Sequence, residues 1–83
     1  MDLKERLAKV VTVADAEKQL ELATDYAKRL RAKAKAASTL ADKIAIKEKV
    51  NQAELVVRQM RRMVFDIEDA IAAGKTAASL VCN

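Results

Sequence analysis

Apolar residues recur at intervals of three and four along two stretches of this chain, and the two stretches mirror one another. Val13, Ala16, Leu20, Ala23, Ala27, Leu30, Ala34 and Ala37 form the first stripe; Ile46, Val50, Ala53, Val57, Met60, Val64, Ile67 and Ile71 form the second. Such spacing places each set along one side of an α-helix, at the core positions of a heptad repeat. Folding the chain back between Ser38 and Thr39 sets residue i against residue 77 − i, which pairs Val10 with Ile67, Val13 with Val64, Leu20 with Val57, Ala27 with Val50 and Ala37 with Leu40. The predicted fold is all-α: an antiparallel helical hairpin of coiled-coil type, forming a single domain over residues 1–83.

The first helix is expected over residues 3–37. Its stripe changes phase near the start, because Leu3, Leu7, Val10, Val13 and Ala16 are spaced by four, three, three and three. Either the helix overwinds there, or it breaks with Thr12 or Asp15 as a new N-cap; the continuous helix is the preferred reading. Ser38 and Thr39 supply the turn, with Thr39 as N-cap of the second helix and Asp42 three residues on, the spacing of a reciprocal capping box. That helix is expected over residues 40–73, ended by Gly74, the chain's one glycine and the residue that takes the left-handed C-terminal conformation at least cost. Residues 75–83 form a short tail. At ~1.5 Å per residue each arm would run roughly 50 Å.

The first stripe is mostly alanine and the second carries larger residues, so the helix axes are expected to approach closely. The second helix has a further apolar row, Val56, Met63 and Ala70, with Phe65 farther round, and this face is wider than a two-helix seam needs. Together with Tyr26 on the first arm, these residues are the expected contact with a partner helix. Two hairpins pairing into a four-helix bundle would cover them, as would a larger host protein; the alternative cover is the chain's own tail.

Composition agrees with long helices: 83 residues, no proline, 52% hydrophobic and 34% charged residues. The mirror also predicts ion pairs, with Asp15 and Glu17 opposite Arg61 and Arg62, and Arg6 and Lys9 near Glu68 and Asp69. Near the turn this complementarity ends. Lys28, Arg29, Arg31, Lys33 and Lys35 meet Lys43, Lys47 and Lys49, with only Asp42 and Glu48 among them. Like charges facing one another cost stability, so the tip is a candidate contact for a polyanion such as a nucleic acid backbone, within a net charge of +4. A solvated face that keeps an alanine-rich helix in solution is the competing account. No aromatic residue stands among these cations to stack on bases.

Catalysis is not expected. The chain has no histidine and one cysteine, Cys82, so it holds neither a disulfide nor a metal-ligand set, and this points to a reducing, cytoplasmic compartment. Gly74-Lys75-Thr76 ends like a phosphate-binding loop, but the pattern needs glycine where Asp69 stands. Glu17, Glu21 and Asp25 form an acidic ladder without the partners of a di-metal site. No secretion signal, membrane span, cofactor or small-molecule ligand is expected, and Cys82 reads as an inert thiol.

The stretch from Arg58 to Ile71, with Arg58-Gln59-Met60-Arg61-Arg62 followed by Phe65-Asp66-Ile67-Glu68-Asp69, resembles coiled-coil segments beside the motor domains of bacterial SNF2-like superfamily-two helicases. The resemblance implies an accessory hairpin of a machine that moves on nucleic acid, without ATPase motifs of its own. The leading expectation is a non-enzymatic protein-interaction module that self-associates or docks on a larger protein. The alternative is an accessory element binding phosphate backbone through its basic tip.

Overall fold

The computed structural model describes residues 2–81, and Cys82 lies outside them. In chain order the elements are α1 (Leu3–Leu7), α2 (Val13–Ala36), α3 (Leu40–Arg62), α4 (Val64–Ala72) and a 3-10 turn, η1 (Ala77–Leu80). The described residues include no strand. Helices α2 and α3 pack against each other along their length and set the long axis of a body measuring 49 × 25 × 17 Å.

The seam follows the mirror over most of its length. Ala27, Leu30, Val50 and Ala53 form one buried cluster, and Ala23, Val56, Val57 and Met60 a second, with Leu20 packed on it. Toward the open end Val13, Ala16 and Leu20 share a cleft with Met60, Val64 and Ile67. At the tip the seam fails: Leu40, expected against Ala37, is 75% exposed.

Two of the expected continuous helices are divided. The arm expected over residues 3–37 breaks at residues 8–12, because the backbone there is captured by a capping box. Thr12 Oγ1 accepts the Asp15 N–H at 3.2 Å, and Asp15 Oδ2 accepts the N–H groups of Thr12 and Val11, each at 3.1 Å. A β-branched run from Val10 to Val13 gives little helical propensity to oppose it. The arm expected over residues 40–73 is interrupted at Met63, whose φ of −92° and ψ of 0° lie outside the helical well; its N–H is shared between the carbonyls of Gln59 and Met60. The long arms are correspondingly shorter than expected, α2 being 24 residues and about 36 Å. Thr39 caps α3 by accepting the Asp42 N–H at 3.1 Å. The return bond from the Asp42 side chain is not formed.

Once detached from α2, α1 folds onto the open half of the hairpin, where it packs against α2, α3 and η1. Leu7 and Val10 join Ile67 and Ala77 in a third buried cluster, to which Leu3, Met63 and Ile71 contribute, and Leu3 also reaches the cluster around Val56. Helix α4 ends in a Schellman motif: the N–H of Lys75 bonds the carbonyl of Ala70 at 2.8 Å, and the N–H of Gly74 that of Ile71 at 3.0 Å. Gly74 takes the positive φ, 78°, that this motif requires. The reversal brings Ala77 to full burial on α1 and α4.

Candidate polyanion-binding flank

Sequence reasoning left two candidate surfaces, and the fold treats them differently. The apolar row Val56, Met63 and Ala70 is covered from within the chain. Val56 and Ala70 are buried and Met63 is half-buried, beneath α1 on one side and η1 on the other. Of the covers expected for this face, the chain's own tail is present in part, as η1, and the break at residues 8–12 frees α1 to cover the rest. Phe65 points the other way and is 77% exposed on α4. Tyr26 is half-buried and lines a groove of about 570 Å³ with Asp2, Ala45, Gln52 and Val56, just beyond the N-terminus of α1.

The basic residues divide by flank. On α2, Lys28, Arg31 and Lys35 recur at three and four residues, beside the seam positions Ala27, Leu30 and Ala34. Lys43 and Lys47 hold the matching side of α3. Arg31, Lys35, Lys43 and Lys47 line one open groove over Ala34 and Val50. Arg31 also enters a second groove, of about 260 Å³, with Lys28, Arg58 and Arg61 over Ala27 and Val57. The two grooves therefore join at Arg31 into one strip that draws cations from both arms. Lys49 lies on the other side, at the Tyr26 groove, while Arg29 and Lys33 are exposed and line neither groove.

Glu54 is the one carboxylate lining this strip, and it holds Arg31 in a salt bridge and hydrogen bond across the two helices. The Thr24 hydroxyl, at the floor, donates its proton to the carbonyl of Leu20 at 2.8 Å. The other cations of the strip find no carboxylate within ion-pair distance among the described residues. The ion pairs expected at the open half are absent there too. Asp15 is committed to its cap, and the N–H groups of Val11 and Thr12 hold its carboxyl below the usual aspartate range. Arg6 turns inward to 5% exposure, where burial lowers its pKa; its Nη1 donates to Gln19 Oε1 at 3.2 Å, and its Nε has no partner.

Arg58 and Arg61 belong to the strip although the sequence reading assigned Arg61 to an ion pair and put Arg58 in no basic set. The signal was available in the heptad positions, since Lys47, Arg58 and Arg61 all fall to one side of the seam row Val50 and Val57, and Lys43 continues that row toward the tip. Chemically, the strip offers exposed lysine point charges and the planar, bidentate donors of Arg31, Arg58 and Arg61 on packed helices, suited to holding anions in place. The described residues contain no group of three or more metal-ligating side chains brought together, and no helix long and apolar enough to cross a membrane. Comparison with protein families, curated proteins and solved structures gave no match.

Proposed function

We propose that this chain is a non-enzymatic helical-hairpin binding module whose α2–α3 flank holds the phosphate backbone of a nucleic acid. The observation that carries this reading is the merging of two basic grooves at Arg31, with cations from both arms and Glu54 as their single carboxylate. Apart from Arg31, which Glu54 holds, these cations have no carboxylate partner among the described residues and repel one another, a cost relieved when a phosphate backbone replaces their counterions. The similarity of residues 58–71 to helicase-associated hairpins agrees with such a role, although in this chain that stretch is divided between α3 and α4 at Met63.

The test is retention on immobilised nucleic acid at low salt. The wild type should be retained and should elute as salt rises, and a variant carrying Lys28→Glu, Lys47→Glu and Arg61→Glu should pass through. Absence of wild-type retention overturns the reading. Protein docking, as a second copy or on a larger host, is favoured by a different feature: the Tyr26 groove extends the seat that α1 occupies, with Ala53 and Val56 in its floor. On that reading, sedimentation at rising concentration shows the mass of two chains, and Tyr26→Asp restores the mass of one.

A further inference from the structure

We infer that the ligand of this flank is a nucleic acid duplex, held through the phosphates of both strands without regard to base sequence; the inference rests on the reading of the flank as a phosphate-backbone site. Three features of the strip favour a duplex over a single strand. The first is the absence of any stacking surface. The chain has one tyrosine and one phenylalanine; Tyr26 lines the groove on the opposite flank, and Phe65 stands on α4 outside both basic grooves. Proteins that hold single strands draw about 1–3 kcal/mol per base from aromatic stacking, and here that contribution is zero.

The second is shape. Lys43 and Arg61 bound the strip on α3, and at ~1.5 Å per residue they stand roughly 27 Å apart, a length over which a duplex presents about 16 phosphate charges. The strip is two ridges wide where α2 carries cations, from Lys28 to Lys35 or about 10 Å; beyond Lys28 toward the open end the same flank of α2 carries Thr24, Glu21 and Glu17. Packed helix axes lie about 8–10 Å apart, a spacing comparable to the roughly 6–12 Å widths of duplex grooves. One ridge can then meet each strand, whereas a lone backbone can satisfy only one ridge at a time. The third is rigidity, because the helices beneath the strip are fixed by the buried cluster of Ala27, Leu30, Val50 and Ala53. A stiff charged strip loses little freedom on meeting a stiff ligand, while a flexible strand must be straightened to follow it.

Indifference to sequence follows from what lines the grooves. Neither holds an asparagine or glutamine, the side chains suited to bidentate contact with adenine, and the arginines that could read guanine are kept outside the major groove because two packed helices, about 20 Å across, are wider than its roughly 12 Å. The cations emerge from helix flanks packed side by side, so they meet the phosphates along the duplex surface and not the base edges within a groove.

Fluorescence anisotropy with labelled DNA of about 24 base pairs, or the matching single strand, distinguishes these cases across a salt series. The duplex should bind at least about tenfold more tightly than the single strand, since the latter gains no stacking. Two duplexes of unrelated sequence should agree within about threefold, and the double variant Lys47→Glu/Arg58→Glu should lower the slope of log K against log salt by about 2. Circular dichroism confirms that the variant keeps its helices. Single-strand binding equal to or tighter than duplex binding overturns this inference and leaves the flank reading intact. An unchanged slope in the folded variant, or no binding of either probe by the wild type, overturns both.

Discussion

The Arg31 guanidinium is paired with the Glu54 carboxylate across α2 and α3, inside the most basic strip of the molecule. Their side chains are 57% and 25% exposed, so solvent screens the pair and its contribution to stability is under about 1 kcal/mol. Its larger consequence is for binding, because Glu54 is the carboxylate an incoming phosphate must displace from Arg31. Glu54→Gln should therefore tighten duplex binding by about two- to fivefold at low salt, with the gain fading as salt rises. Urea denaturation of the same variant should move by less than about 1 kcal/mol. Weaker binding by Glu54→Gln would mean that the pair positions Arg31 for its ligand instead of competing with it.

Thr12 and Asp15 decide whether the first arm is one helix or two. Thr12→Ala should cost about 1 kcal/mol, the usual loss for an N-cap hydroxyl, and should raise proteolysis between residues 8 and 12. Asp15 adds a pH dependence. Its folded pKa lies below the ordinary value of 3.8, so its contribution is complete above the unfolded pKa and is lost as pH falls through the lower, folded one. Acid titration followed by circular dichroism should show this loss in the wild type and not in Asp15→Asn.

How much of this was legible depended on whether local chemistry or packing decided the outcome. The seam was readable because alanine facing valine or methionine at heptad spacing has one good partner register, and Ala27 with Val50 falls where that register puts it. The break at Thr12 was visible as an alternative, but apolar spacing could not weigh three hydrogen bonds around Asp15 against helix continuation. The part of the cover over Val56 and Met63 that α1 supplies followed from that break and was missed with it, whereas the tail, which reaches the Met63 cluster through Ala77, was the alternative cover expected. In the basic strip, Lys28, Arg31, Lys35, Lys43 and Lys47 were named for their density. Arg58 and Arg61 were overlooked because side of helix, and not distance from the turn, determines which cations share a surface.

Arg6 is a weak point in the docking of α1. Its guanidinium is 5% exposed beside Gln19, with Nε unpartnered and no carboxylate in ion-pair distance among the described residues. Replacing a buried charge by an apolar side chain of similar length is commonly neutral or stabilising, so Arg6→Met should leave the melting temperature unchanged or raise it. Truncation at its neighbour should act in the opposite direction. Leu7 is fully buried against Val10, Ile67 and Ala77, and Leu7→Ala should cost about 2–5 kcal/mol. Met63→Glu, which places a charge under the same cover, should unfold the open end; a folded Met63→Glu protein of unchanged stability would show that α1 does not sit on this face in solution.

Gly74 tests the other half of that cover. With φ at 78° and no atom within 4 Å of an added Cβ, Gly74→Ala meets no steric obstacle, and its entire cost is the left-handed backbone, about 1–2 kcal/mol. Gly74→Asn should cost less, since asparagine tolerates this conformation better than alanine does. The Schellman bonds from Lys75 to Ala70 and from Gly74 to Ile71 hold η1 against α1 and α4. Loosening them should therefore expose Ala77, and with it Leu7 and Ile67, before α2 and α3 separate. Hydrogen exchange should show faster exchange in Gly74→Ala at α1 and η1 than at the Ala27–Val50 seam. Equal acceleration at both would mean that the covering segments and the hairpin unfold as one unit.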